Sequence, residues 1–305
     1  IIGHETVSSV LVASVLAASA ETTVKPASLE TAVTVAGAVL SFIGQDSPSP
    51  LQQQHECPLP ATALPAPSFF IIGHESLGRV VEAAPGTGFR AGDLVVGIVR
   101  RRDPVPCPAC AAGDWDMCLN GRYTERGIKG RHGYASERYR IHPEYLVAVD
   151  PVLGILGVLL EPTTVVAKAW DHIEKIGHRA AWAPEKVLIT GAGPIGLLAA
   201  LLATQRGYQT YVLDRVTEGR KPEMVRRLGA IYFHVGDIGE AGNEADIVIE
   251  CTGFVQMLLE AGPQHVRHRI TCLTGVSPAG AEATVDPGLF NRNIVLQNSV
   301  IFGSV

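Results

Sequence analysis

Three cysteines lie close together in the chain, at Cys107, Cys110 and Cys118. Thiolates at this spacing suit a tetrahedral zinc ion, which requires one further ligand. Asp103 lies just upstream and carries a carboxylate that can act as an oxygen donor. Three unrelated thiols are the alternative, but their clustering in a loop with proline and glycine favours metal binding. The sequence therefore predicts a small structural zinc lobe.

A second set of metal-ligand types is formed by the adjacent residues His74 and Glu75, together with Glu161. Imidazole and carboxylate are both zinc ligands, and a catalytic zinc ion keeps one position open for water or substrate. Alone, a His-Glu pair is usually a solvated turn or a satisfied core contact, and Glu161 would be a first-turn acid favoured by the helix dipole. We favour zinc ligation because the pair precedes a glycine-rich β segment in a chain that also carries a dinucleotide motif.

That motif is a glycine series after the apolar run Val187–Thr190, and a second apolar run ends about 20 residues later on Asp214. The first glycine permits a tight turn, the second lets the backbone approach a pyrophosphate, and the third lets the helix pack on the strand. The helix N-terminus offers free N–H groups to the phosphates. The predicted cofactor-binding residues are Gly191, Gly193, Pro194, Ile195, Gly196, Asp214 and Arg215.

The choice between NAD and NADP stays open at this point. Asp214 would accept a hydrogen bond from a ribose 2′-hydroxyl and would repel a 2′-phosphate. Arg215 and Arg220 would instead attract that phosphate, although both are also explained as solvated loop charges. We therefore expect the chain to use both cofactors, with NADP somewhat favoured.

Alternating strand and helix patterns are expected to position these cofactor residues. The predicted strands are Val187–Thr190, Thr210–Leu213, Ile231–His234, Asp246–Glu250, Arg269–Leu273 and Val300–Gly303, and the predicted helices are Gly157–Trp170, Ile195–Thr204, Pro222–Leu228 and Val255–Ala261. This order predicts an α/β fold with a doubly wound parallel sheet. Upstream, short β-rich runs separated by glycine and proline predict a small barrel-like β domain. We expect domains at 1–150 and 151–305.

Composition excludes several functional classes. The 305 residues are 47% hydrophobic and 18% charged, which permits a substantial core. The net charge of −5 gives no electrostatic reason to expect nucleic acid or an anionic membrane as a partner. Val7–Ala18 is apolar but too short to span a bilayer, and no basic region precedes it. We expect a cytoplasmic enzyme.

These motifs together resemble the zinc-dependent medium-chain dehydrogenases. Gly73-His74-Glu75, the cysteine lobe, Glu161-Pro162 and the glycine series carry the resemblance, and Tyr123–Gly130 with His132–Tyr134 is most similar to the glucose 1-dehydrogenase branch. The resemblance implies a GroES-like β-barrel domain beside a Rossmann domain. It also implies oxidation of an aldose such as D-glucose at C1 to an aldonolactone, with Zn²⁺ and NADP or NAD. A homo-oligomer, either dimer or tetramer, is implied as well.

The resemblance also assigns roles to individual residues. His74, Glu75 and Glu161 match the catalytic zinc ligands, and Glu125 matches a residue that holds sugar hydroxyls. Cys107, Cys110 and Cys118 match the structural zinc lobe, whose usual first cysteine is replaced by Pro104. The glycine series and Asp214 match the cofactor site.

The chain departs from the family pattern in two places. The family's first catalytic ligand, a Cys or Asp in a Cys-Gly-Thr-Asp type motif, has no counterpart, because Cys57 lies too close to His74. The resemblance runs from about Phe69 to Val305; residues 1–68 are atypical, and family members continue beyond the last residue, so we expect a truncated C-terminus. A zinc alcohol or polyol dehydrogenase and a catalytically silent NAD(P)-binding homologue are the remaining alternatives.

Overall fold

The structure, a computed structural model, describes residues 70–237, 244–254, 266–277, 279–280 and 284–305. The expectations for residues 1–68, Cys57 among them, and for the helix Val255–Ala261 lie outside these residues. The described chain divides after Pro162 into a first unit, residues 70–162, and a second unit, residues 163–305. Each unit is described by itself.

The described part of the first unit is built from short strands in two three-stranded sheets. The strands are β1 (Gly78–Arg79), β2 (Leu94–Gly97), β3 (Arg100–Arg101), β4 (Thr124–Arg126), β5 (Gly130–Arg131) and β6 (Leu146–Ala148). β2 pairs antiparallel with both β1 and β6, whereas β4 pairs antiparallel with β3 and parallel with β5. A short helix, α1 (Pro108–Ala112), and the 3₁₀ turns Trp115–Met117 and Pro143–Tyr145 connect them. Short strands between turns are what the sequence predicted here.

A compact apolar cluster explains where the first unit ends. Leu94, Val96 and Val149 are buried, and Leu153 and Leu160 pack against them. Leu153 belongs to the 3₁₀ segment Pro151–Leu159, and Leu160 is the first residue of the next helix. Packing therefore places 151–162 with the β unit, whereas the sequence pattern divides the chain at 150/151.

The second unit is a six-stranded parallel sheet with helices. Helix α2 (Leu160–Gly177) leads into β7 (Lys186–Thr190), α3 (Pro194–Gln205), β8 (Gln209–Asp214), α4 (Arg220–Arg227), β9 (Ile231–His234), β10 (Ile247–Glu250), β11 (Ile270–Leu273), α5 (Pro287–Gln297) and β12 (Val300–Gly303). The strand order is β12-β11-β10-β7-β8-β9, which is the doubly wound order. The six predicted strands are confirmed, with ends shifted by a residue or so.

The central strands and helix α2 are buried for reasons visible in their sequences. β7 and β10 are apolar runs, and Val187, Ile189, Ile247 and Ile249 are fully buried, as expected for strands covered on both faces. In α2 the residues with no exposed surface are Val166, Ala169, Trp170 and Ile173. Their spacing of three and four residues makes one apolar stripe. Among the described residues, Pro151–Gly177 is the segment long and apolar enough, by length and composition, to cross a bilayer, and its α-helical part carries this buried stripe.

Candidate active site

The structure brings His74, Glu75 and Glu161 together. One potential ligand atom from each lies within 4.8 Å of the others. His74 and Glu161 are half-buried, and Glu75 is exposed. An imidazole and two carboxylates at these distances form a donor set that fits a zinc ion. In the sequence Glu161 lies 86 or more positions from the adjacent pair His74 and Glu75, and the fold supplies their proximity.

The segment that carries His74 is fixed by backbone hydrogen bonds. The N–H groups of 133–135 donate to the carbonyl oxygens of 71–73, with N···O distances of 2.6 to 3.1 Å. Gly73 has φ +91°, a conformation that favours glycine immediately before the histidine. Downstream, the Gly97 N–H donates to the Ser76 hydroxyl at 3.1 Å. His74 and Glu75 are therefore held between two anchored points of the backbone.

Glu161 lies in the first turn of α2, close to other acidic groups. Burial raises the pKa of its carboxyl group; His74 opposes this, and the carboxylates of Glu75 and Glu125 raise the pKa further. Three carboxylates at this corner repel one another unless a cation is shared among them. The charge distribution therefore fits a divalent cation.

Glu125, the predicted sugar-binding residue, lies on β4 directly opposite Arg100 of β3. The Arg100 Nε donates to Glu125 Oε1 at 2.9 Å, and a second guanidinium nitrogen lies 2.8 Å from the same oxygen. The guanidinium is itself held, because it lies over the Tyr123 ring at 4.0 Å and donates to the Trp115 carbonyl at 3.2 Å. Sequence reasoning missed Arg100, since only the β3–β4 register brings it to Glu125.

Cys107, Cys110 and Cys118 also converge, with their sulfur atoms within 4.8 Å of one another. Cys107 caps the N-terminus of α1, and its sulfur accepts hydrogen bonds from the N–H groups of Cys110 at 3.5 Å and Leu119 at 3.3 Å. These two donors lower the pKa of Cys107 to about 6. Burial raises the pKa of Cys110 to about 11, and the neighbouring thiols add to the effect. A thiol cluster with amide donors to sulfur fits a structural zinc ion.

In the second unit, the turn that contains the glycine series joins β7 to α3, and its backbone is tightly packed at Gly196. Gly191 has φ +91°, and a Cβ at Gly196 would overlap the carbonyl oxygen of Gly191. A Cβ at Gly193 would meet nothing within 4 Å. Gly193 caps α3 without a side-chain hydrogen bond, which suits the binding of a pyrophosphate at this helix N-terminus. The geometry agrees with the separate tasks that the three glycines have in a dinucleotide turn.

Asp214 ends β8 and fixes this turn. Its Oδ2 accepts the Ala192 N–H at 2.7 Å, and its Oδ1 accepts the N–H of Arg215 at 2.7 Å and of Val216 at 3.2 Å. The Lys221 ammonium lies 3.3 Å from Oδ2. Burial acts to raise the pKa of Asp214, but the Ala192 N–H and Lys221 outweigh it, so the pKa is lowered. Sequence reasoning did not include Lys221, whose position in the first turn of α4 was its only signal.

Comparison with known proteins adds independent information. A family model for the alcohol dehydrogenase GroES-like domain matches residues 30–151, and one for the glucose dehydrogenase C-terminus matches residues 154–305. The first match begins upstream of Phe69, the residue at which the resemblance to the family begins in the sequence analysis. Both parts of the chain are therefore matched by models of dehydrogenase domains.

Individual relatives agree with the family models. Glucose 1-dehydrogenase of Methanocella arvoryzae is 41% identical over 244 residues, covering 78% of this chain and 68% of that protein. Glucose 1-dehydrogenase 2 of Vulcanisaeta moutnovskia is 36% identical over 240 residues, covering 78% and 67%. A structure of Haloferax mediterranei glucose dehydrogenase in complex with NADP, Zn and gluconolactone is 32% identical with a TM-score of 0.69, covering 77% and 68%.

These matches confirm the predicted fold of a GroES-like domain and a Rossmann-type parallel sheet. The chain spans about two thirds of the length of its relatives. The chain belongs to the glucose 1-dehydrogenase branch of the zinc-dependent medium-chain dehydrogenases.

Proposed function

We propose that this chain is a zinc-dependent dehydrogenase that oxidises D-glucose at C1 and transfers hydride to NADP⁺ or NAD⁺. The observation that carries the proposal is the convergence of His74, Glu75 and Glu161, whose ligand atoms lie within 4.8 Å of one another, in a member of this family. The relative from Haloferax mediterranei forms a complex with NADP, Zn and gluconolactone, which supports the same substrate class and cofactors.

His74, Glu75 and Glu161 would hold the zinc ion. When bound, zinc supplies positive charge that stabilises the negative charge developing on the C1 hydroxyl oxygen of the sugar. Glu125 accepts hydrogen bonds from other sugar hydroxyls, which orients C1. The C1–H bond breaks with its electron pair moving to C4 of the nicotinamide, the hydroxyl proton is released, and the C1–O bond becomes the lactone carbonyl.

Cofactor binding rests on the glycine turn and on the charges after β8. Gly191, Gly193 and Gly196 form the turn that takes the pyrophosphate. Because Lys221 partly neutralises Asp214, a 2′-phosphate meets less repulsion there than an unpaired aspartate would give. Arg215 adds a cation on the same loop. This balance supports use of both cofactors with NADP favoured.

A coupled assay tests the proposed activity. With zinc and NADP⁺ present, absorbance at 340 nm should rise on addition of glucose and should stop rising when a chelator removes the metal. Glu125→Ala should lose sugar turnover selectively, with turnover of simple alcohols retained, because the zinc ligands are untouched. A folded, zinc-loaded sample with no turnover on any aldose or alcohol would contradict the proposal.

Two further properties belong to the proposal. We expect a cytoplasmic homo-oligomer, a dimer or tetramer, that acts on a small sugar and binds neither nucleic acid nor membrane. The described cysteines are all free thiols, as is usual in a reducing compartment. Light scattering after size-exclusion chromatography measures the oligomeric state, and a monomer under assay conditions would contradict that expectation.

A further inference from the structure

The thiol cluster is one ligand short of a structural zinc site. Cys107, Cys110 and Cys118 provide three sulfur atoms, whereas such sites are almost always four-coordinate. Pro104 occupies the position of the family's first structural cysteine, and its side chain offers no donor atom to a metal ion. A fourth donor must therefore come from another residue or from water.

Asp103 lies directly against this cluster. Its carboxylate Oδ2 is 3.9 Å from the sulfur of Cys118, and its backbone forms a hydrogen bond with the sulfur of Cys110. The ligand atoms of a tetrahedral zinc ion lie about 3.5 to 3.8 Å from one another, given Zn–S near 2.3 Å and Zn–O near 2.1 Å. The distance from Oδ2 to the Cys118 sulfur is close to such an edge. The carboxylate of Asp103 thus reaches the sulfur of Cys118, and the backbone of the same residue reaches that of Cys110.

The surroundings of Asp103 point to a cation. The residue is only 1% exposed. Its Oδ1 accepts the Val105 N–H at 2.8 Å, and its other oxygen, Oδ2, lies toward the sulfur of Cys118. Among the described residues, no Lys, Arg or His side chain forms an ion pair with this carboxylate. A buried carboxylate is costly unless a positive charge or a metal ion compensates it.

We propose that Asp103 is the fourth ligand of the structural zinc ion, so that the lobe binds zinc through three thiolates and one carboxylate oxygen. The substitution keeps the charge of the ligand set, because an aspartate replaces a thiolate one position away. It makes the site harder than one with four thiolates, since carboxylate oxygen is a harder donor than sulfur. The site does not depend on glucose turnover, so it can hold even if the proposed activity fails.

The test isolates the lobe in the full-length chain. His74→Ala removes the catalytic site, so that the remaining zinc reports on the lobe, and X-ray absorption at the zinc edge counts sulfur and oxygen neighbours. We expect one zinc ion per chain with three sulfur atoms and one oxygen. Asp103→Ala should lower zinc affinity at least about tenfold in competition with a chromophoric chelator. Asp114→Ala is the matched control, because Asp114 is exposed in the same lobe and makes no side-chain capping bond.

Asp103→Cys keeps the test decisive if the alanine variant does not fold. A thiolate at position 103 should raise the sulfur count from three to four and preserve binding. A sulfur count that stays at three, or an alanine variant with zinc affinity within twofold of the parent, would overturn the proposal in favour of water as the fourth ligand. A folded parent chain whose lobe takes up no zinc would overturn it as well.

Discussion

Arg100 binds a single oxygen of Glu125. Two guanidinium nitrogens lie 2.9 and 2.8 Å from Oε1. None of the described residues donates a hydrogen bond to the other oxygen, Oε2. Because the side chains are only 18% and 15% exposed, the pair is partly shielded from water, and its geometry is better defined than that of a surface ion pair. Glu125 is thus oriented with Oε2 left available, as its proposed contact with a sugar hydroxyl requires.

This relationship predicts a role for Arg100 in positioning the substrate. Arg100→Ala should raise the KM for glucose about tenfold, equivalent to about 1.4 kcal/mol, with a smaller change in kcat. The reason is that the Glu125 carboxylate loses the cation that orients it, while the proposed zinc ligands are unchanged. Steady-state kinetics with glucose, together with zinc content per chain, measure the effect.

Arg102→Ala provides the matched control for that substitution. Arg102 is 50% exposed and lies 3.9 Å from Glu144, whereas Arg100 pairs with Glu125. The KM of the Arg102→Ala variant for glucose should remain within about twofold of the parent value. Equal effects of the two substitutions, or loss of zinc in Arg100→Ala, would mean that Arg100 supports the fold of the loop and not the orientation of Glu125.

The charged residues that follow β8 are predicted to influence the choice between NADP⁺ and NAD⁺. Lys221→Ala should raise the KM for NADP⁺ severalfold and change that for NAD⁺ less, because an unpaired Asp214 repels a 2′-phosphate. Arg215→Ala should act in the same direction through loss of a cation. Arg227→Ala is the control, since Arg227 lies in the last turn of α4 and pairs with Glu223. An unchanged ratio of the two KM values would show that neither residue discriminates.

Most of the second unit could be predicted from sequence because its signals are local. The runs Val187–Thr190 and Asp246–Glu250 are short, apolar and bounded by turns, and in a doubly wound sheet such runs become central strands. The glycine series then predicts which turn binds the cofactor. The first unit was predicted as a small barrel-like β domain without bounds for its individual strands, because strands of two to four residues carry little periodicity.

The residue types in the candidate sites could be recognised in the sequence, but the side chains that pair with them could not. Histidine, cysteine and acidic side chains are the usual metal ligands in proteins, so His74 and the cysteine cluster could be recognised as candidate metal sites. The partners Arg100 and Lys221 could not, because arginine and lysine are common on surfaces and only strand register or helix placement brings them to a carboxylate. The division expected at 150/151 stays a prediction: packing groups residues 151–162 with the first unit, whereas the two family models meet between residues 151 and 154.

Alanine substitutions at two glycines of the turn between β7 and α3 are predicted to have different effects on stability and on cofactor binding. Gly196→Ala should destabilise the protein by about 1–3 kcal/mol, because the new Cβ overlaps the carbonyl oxygen of Gly191. Gly193→Ala should leave the free energy of unfolding nearly unchanged, because its Cβ meets no atom within 4 Å, yet it should weaken cofactor binding. Urea unfolding and fluorescence titration with NADPH separate the two effects. Equal destabilisation by both substitutions would contradict this division of tasks.

Asp214 predicts a pH-dependent contribution to stability. Its folded-state pKa lies below the ordinary value of 3.8, because the Ala192 N–H and Lys221 outweigh the effect of burial. A carboxyl group with a lowered pKa stabilises the folded state above its unfolded pKa, and this contribution is lost as the pH falls through the folded pKa. Asp214→Asn should therefore reduce the free energy of unfolding at pH 7 by about 1–2 kcal/mol, since hydrogen bonds to a charged group are weakened.

The difference between Asp214→Asn and the parent should stay constant from pH 7 to about 5 and then shrink below about 4. Urea unfolding of the metal-free protein at pH 7, 5 and 3.5 measures it. Asp171→Asn serves as the control, because Asp171 is 43% exposed and pairs with Lys175 across one turn of α2. A difference that persists undiminished at pH 3.5 would show that Asp214 acts through the shape of its hydrogen bonds and not through its charge.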